Sequence, residues 1–67
     1  MDPVACLADF LTADSDSQRT DAAEAWRTWL NKGGFKPLVV HVRAEVENRG
    51  YRWTKHRHAI AVLAGAV

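Results

Sequence analysis

The strongest local signal in the chain is residues 17–34, SQRTDAAEAWRTWLNKGG. Apolar side chains recur here at spacings of three and four, which places them on one face of an α-helix. Gly33 suits the left-handed conformation that ends many helices, and Pro37 prevents the helix from continuing. We therefore predict an amphipathic helix over residues 17–32, with an apolar face formed by Ala22, Ala23, Trp26, Trp29 and Leu30.

The segment before this helix has the features of a second, shorter helix over residues 3–13. Asp2 can accept a hydrogen bond from a free backbone amide at the helix start, and Pro3 fits the first helical position. Residues 14–17 then interrupt the apolar pattern and supply candidate caps for the next helix. The predicted apolar stripe consists of Val4, Leu7, Phe10 and Leu11.

Residues 38–47 fit two patterns. Alternate residues from Leu38 to Val46 are apolar, which is the period of a strand, and the β-branched content favours that interpretation. Val39, Val42 and Val46, together with Leu38, also form a helical stripe. Because residues 55–58 offer no apolar alternation for a partner strand, we predict a helix and keep a strand at 38–46 as the alternative.

A last helix is expected over residues 55–64, after a turn around Gly50. Thr54 is a good N-cap, and Ile60, Leu63 and Ala64 are expected to face inward, with Val67 as a further candidate. The predicted fold is thus a single all-α domain over residues 1–67, a compact bundle of three to four short helices. Its last two helices have the order of a helix-turn-helix. An α+β fold is the alternative.

The segment most suggestive of function is residues 49–58. Four of its ten residues are fixed cations, two are histidines, two are aromatic and none is a carboxylate. Cations of this density suit phosphates or carboxylates, and an aromatic ring can stack on a base. We predict a nucleic-acid or anion-binding site composed of Arg49, Arg52, Trp53, Lys55, Arg57 and His58.

Charge is distributed unevenly along the chain. Residues 1–35 carry a net charge of −3 and residues 36–67 carry +4, although the whole chain is only +1. The two halves could attract each other within the fold, or the basic half could face an anionic partner. The isoelectric point of the chain, about 8.0, is lower than is usual for nucleic-acid-binding domains. Nucleic acid and an acidic protein surface therefore both remain candidate partners.

Assembly is the competing function. A chain of this length buries only about 60% of its unfolded surface, and oligomerisation is one way to supplement a small core. Trp26 and Trp29, and the apolar tail from Ala59, offer candidate interfaces. We therefore expect a homo-oligomer. An adaptor module or a small subunit of a larger complex is the alternative to anion binding.

Other functions find little support in the sequence. No catalytic arrangement stands out, so we expect a non-enzyme that uses no cofactor. His41, His56 and His58 lack the spacing of a structural zinc site, so we expect no metal. Cys6 is the only cysteine, which suits a reducing compartment, and the longest apolar run is too short to span a bilayer. We expect a cytoplasmic protein without a membrane partner.

Overall fold

The computed structural model describes residues 2–65, which form four α-helices. These residues contain no strand, so the α+β alternative is wrong and the predicted all-α bundle is confirmed. The ambiguous segment is helical because its Val42 and Val46 can be buried together on one helical face. The helices are α1 (Pro3–Leu11), α2 (Asp16–Asn31), α3 (Val39–Asn48) and α4 (Lys55–Leu63).

Side-chain caps fix the starts of three helices. The side-chain oxygens of Asp2, Ser15 and Thr54 accept hydrogen bonds of 3.0, 3.2 and 3.3 Å from amides in the first turns of α1, α2 and α4. A cap of this kind typically stabilises a helix by about 1 kcal/mol. Asp2 and Thr54 were predicted individually, and Ser15 is one of the four residues, 14–17, that were predicted to supply the cap of α2. α3 begins after Leu38 without a side-chain cap, directly beyond Pro37.

The core is centred on α1, the only helix in the described chain that packs closely against each of the other three. Leu7 of α1 and Val42 and Val46 of α3 are its largest fully buried side chains. The radius of gyration of 10.8 Å matches the ~10.9 Å expected for a folded chain of this length. The smaller or less deeply buried members of the core are Cys6, Ala8, Trp26 and Ala61.

Two indole rings hold the far end of α2 in place. Trp26 Nε1 donates to the carbonyl of Ala64 at 2.9 Å, which links α2 to the end of α4. Trp29 Nε1 donates to the carbonyl of Phe35 at 2.7 Å. Gly34 lies against the Trp29 ring so closely that a Cβ there would be 2.2 Å from Cε2. The glycine pair therefore both ends the helix, with Gly33 at φ 79°, and lets the chain cross the ring.

The orientation of α4 differs from the prediction. Ala61 is completely buried, whereas Leu63 is 87% exposed. The expectation that Leu63 faces inward is therefore wrong, and Val67 lies outside the described residues. The inward side of α4 carries the buried Ala61 together with Arg57, Ile60 and Ala64, which are half-buried.

The connection between α3 and α4 comprises residues 49–54, six residues in all. A helix-turn-helix has a turn of about three or four residues, so the likeness to that motif is limited to the order of the helices. Within residues 2–65, no helix combines the length and apolar content needed to cross a membrane.

Candidate functional site

The basic segment, residues 49–58, begins at the C-terminal end of α3, follows the connection and ends in the first turn of α4. Its four fixed cations fall into two classes. Arg49 and Arg57 are half-buried and bind other parts of the fold, whereas Arg52 and Lys55 are exposed. The sequence gives no basis for dividing these four cations into two classes. Only the contacts of their side chains within the fold distinguish them.

Arg49 links α3 to α1. Its Nη1 lies 2.5 Å from Oδ1 of Asp9 in α1, and its Nε lies 3.0 Å from Oε1 of Glu45 one turn earlier in α3. The hydrogen bond that Arg49 donates to Asp9 is the main cause of its raised pKa; burial lowers this pKa, and the hydrogen bond to Glu45 raises it further. This guanidinium is neutralised by two carboxylates, so little of its charge reaches solvent. Part of the attraction between the acidic and basic halves is thus used within the fold.

Arg57 performs a similar role from α4. Its Nη1 donates to the backbone carbonyl of Arg52, and its Nε lies 3.5 Å from the carbonyl of Leu11 at the end of α1. Its guanidinium carbon lies 5.7 Å from the ring centroid of Tyr51, in cation–π geometry. A cation near the carbonyl end of a helix is favourable, because that end carries partial negative charge. Arg57 therefore joins α1, the connection and α4.

The other charged residues of the segment face solvent. Arg52, Lys55, His56 and His58 are all exposed. Among residues 2–65, no carboxylate lies within ion-pair distance of Arg52 or Lys55. Within the basic segment, these two residues are the fixed positive charges that a partner could neutralise, and Thr54, which caps α4, lies between them in the chain.

The aromatic residues of the segment are directed toward the protein. Trp53 is half-buried and packs against the core, as does Tyr51. The hydroxyl of Tyr51 donates to Oδ1 of Asp14 at 3.2 Å. Trp53 therefore contributes to packing, and a base could stack only on the part of its ring that remains accessible.

A groove adjoins the basic segment where the end of α1 meets the starts of α2 and α4. It has a volume of about 580 Å³. Its half-buried apolar side chains are Phe10, Leu11 and Ile60, and Arg19 of α2 and His56 of α4 also line it. The sequence-based prediction missed this groove, because its residues come from three distant segments that only the packing of the helices brings together. We call it the α4 groove.

Three large apolar side chains are exposed near the start of α3 and the end of α4, away from the basic segment. Phe35 is 67% exposed, Leu38 is 52% exposed and Leu63 is 87% exposed. The Trp26–Ala64 hydrogen bond brings the last turn of α4 to α2, and the loop after α2 carries the first two of these residues. We call Phe35, Leu38 and Leu63 the apolar end.

A second groove, between α1 and α2, is acidic. Asp2, Asp9 and Asp21 line it, and Cys6 lies in it. Burial, with a smaller effect from the charge of Asp9, raises the pKa of the Cys6 thiol, and its Sγ lies 3.5 Å from the carbonyl of Ala22. Cys6 is thus a buried, free thiol that packs as a small hydrophobic residue of the core. Within the described residues, no three His, Cys, Asp or Glu side chains are grouped closely enough to hold a metal ion.

Comparison of the sequence with protein-family models, curated proteins and solved structures finds no match. Functional inference must therefore start from the geometry of the chain itself.

Proposed function

We propose that this protein is a small, non-enzymatic binding module that docks on an acidic protein surface through its basic segment. The observation that carries the proposal is the exposure of Arg52 and Lys55, neither of which pairs with a carboxylate of the described chain. His56 and His58 follow Lys55 in the first turn of α4 and are also exposed. The connection and the first turn of α4 present these side chains on a short stretch of backbone.

The number of available cations favours an acidic protein over nucleic acid. DNA carries a negative charge about every 1.7 Å along its axis, and strong binders make roughly six to ten phosphate contacts. This segment offers two fixed, unpaired cations, and Asp9 and Asp14 lie beside it. Asp14, which has no cation partner among the described residues, would repel a continuous phosphate backbone, whereas an acidic protein presents discrete carboxylates that can be placed next to Arg52 and Lys55.

Calorimetric titration with poly-glutamate and with single- and double-stranded oligonucleotides, at low and at physiological salt, tests this proposal. We expect poly-glutamate to bind the wild-type protein and the double substitution Arg52→Gln/Lys55→Gln to abolish that binding. Oligonucleotides should bind more weakly. Their log–log salt slope should be no steeper than about −1.8, which corresponds to two phosphate contacts.

The matched control is Arg27→Gln/Lys32→Gln, which removes the same charge from exposed positions in and just after α2. This variant should bind like the wild type, because these residues lie outside the basic segment. Equal losses in both variants would mean that net charge alone matters. Tighter binding to oligonucleotide than to poly-glutamate, with a steeper salt slope, would establish nucleic acid as the partner.

A second candidate function is self-assembly, and the apolar end favours it. Monomeric proteins expose single apolar residues routinely, but grouped large ones mark interaction sites. A symmetric dimer would bury Phe35, Leu38 and Leu63 from both copies at once. Sedimentation of the wild-type protein across the micromolar range tests this proposal, and a monomer at every concentration would refute it.

A further inference from the structure

The α4 groove lies beside Lys55, one of the two cations that the proposed function uses. His56 lines the groove and follows Lys55 in the chain, while Thr54, which also lines it, precedes Lys55. A partner held by Lys55 would therefore have its neighbouring side chains within reach of the groove.

The groove has an apolar floor and polar walls. Phe10, Leu11 and Ile60 are half-buried, which leaves part of each side chain in contact with solvent. Arg19 stands on the α2 side, and His56 and Arg57 stand on the α4 side. Arg19 lies 2.6 Å from Asp16, an almost fully exposed carboxylate, so that pair is a weak surface interaction.

We infer that the α4 groove receives one large apolar side chain of a carboxylate-rich peptide segment, whose acidic residues pair with the exposed cations beside it. This inference rests on the proposed function and specifies its partner: an acidic segment with a bulky apolar anchor. Charge complementarity selects the acidic sequence, and the floor of Phe10, Leu11 and Ile60 selects the anchor.

The groove suits an anchor side chain better than an enclosed small molecule. Specific small-molecule pockets bury roughly 70–90% of the ligand surface, whereas Arg19, Thr54 and His56 of this groove are exposed and leave it open. In protein interfaces, a few buried aromatic anchors supply most of the binding energy, with charged residues around them. An acidic peptide with one aromatic residue satisfies both parts of the site.

The test uses two glutamate-rich peptides that differ at one central position, tryptophan in one and alanine in the other. Both are titrated against the wild-type protein at low salt. Partial burial of the tryptophan should make the first peptide bind at least tenfold more tightly, because burial of a large apolar side chain is worth about 1.5–3 kcal/mol. Equal affinities of the two peptides would refute the inference that the groove binds an anchor side chain, and would leave the proposed function intact. Binding of neither peptide would refute both.

Two protein variants locate the anchor. Ile60→Ala removes most of one apolar side chain from the floor of the groove. It should reduce the preference for the tryptophan peptide severalfold while leaving the affinity for the alanine peptide unchanged. Leu63→Ala, on the exposed side of the same helix, is the matched control and should keep the full preference. If Leu63→Ala lost the preference and Ile60→Ala kept it, the anchor would lie at the apolar end. Circular dichroism checks the folding of both variants, and the comparison of the two peptides on the wild type stands even if Ile60→Ala is unfolded.

Discussion

The basic segment and the apolar end contain the same kind of contrast. In the basic segment, Arg49 contacts two carboxylates of the fold, while Arg52 extends into solvent. At the apolar end, Trp26 is buried and donates its indole N–H to a carbonyl, while Leu63 is 87% exposed. In each region, one residue stabilises the fold and a similar residue nearby remains available to a partner.

Residue type alone therefore does not identify a binding site in this chain. Both stabilising residues have a polar group that reaches an acceptor in another helix, Asp9 for Arg49 and Ala64 for Trp26. The exposed residues have no such contact across helices. This distinction therefore predicts that substitution of Arg49 or Trp26 lowers the stability of the fold. Substitution of Arg52 or Leu63 should instead affect binding.

The largest effect is expected at Trp26. Trp26→Ala should cost about 3–5 kcal/mol, because it removes a large core side chain and leaves a cavity. A 67-residue domain has a total stability of only roughly 3–10 kcal/mol, so most of the helical circular dichroism signal should be lost at 37 °C. Trp26→Phe keeps most of the ring but loses the hydrogen bond to Ala64, and should cost less. A melting temperature unchanged by Trp26→Ala would show that the ring is not part of the core.

An intermediate effect is expected on self-association at the apolar end. If this end forms a dimer, Leu63→Gln should weaken the dimer by tens of fold, since a buried leucine contributes about 1.5–3 kcal/mol. The stability of the monomer should not fall, because Leu63 is almost fully exposed. Sedimentation equilibrium measures the association. Ala44→Gln, at an exposed position in the middle of α3, is the control, and an equal loss there would remove the apolar end as the interface.

A smaller effect on thermal stability should distinguish Arg49 from Arg52. Arg49→Gln removes two partly exposed ion pairs and should destabilise the fold by about 1 kcal/mol, which corresponds to a melting temperature roughly 4–8 °C lower. Arg52→Gln should change stability by less than about 0.5 kcal/mol, as most exposed substitutions do. Thermal denaturation at neutral pH compares the two directly. Equal shifts would show that the contacts of Arg49 contribute nothing in solution.

The smallest effect concerns Cys6. Its raised pKa means that the folded state holds the thiol proton more tightly than the unfolded state does. The resulting contribution to stability is fully present below the ordinary thiol pKa of about 8.5 and is lost as pH rises from there through the folded value. Wild type should therefore lose stability above that pH more steeply than Cys6→Ala, in denaturant titrations at matched pH. Parallel pH profiles would contradict this.

The helices were largely predictable because their signals are local. Apolar spacing, the caps at Asp2 and Thr54, and the stop at Gly33 each depend on residues within one or two turns of one another. The segment 38–47 was harder, since its valines fit both periods. What decided it was the burial of Val42 and Val46 against α1, a contact between distant parts of the chain.

The orientation of α4 shows where local reasoning failed. Ile60 and Leu63 are more apolar than Ala61, so an estimate from hydrophobicity places them inward. The fold instead buries Ala61 because α4 lies close to the core. A small residue such as Ala61 adds little to the hydrophobic pattern of a sequence. The pattern therefore does not reveal that this residue is buried at a helix contact.

The helical class, most helix boundaries and the position of the basic segment can be predicted from the sequence alone. They depend on residues that are close together along the chain. Only the tertiary structure decided which cations are neutralised, which apolar residues are left exposed, and that Phe10, Arg19 and Ile60 line one groove. The physical reason is that ion pairing, burial and groove shape depend on distances between residues far apart in the chain, and packing of the helices against α1 sets those distances.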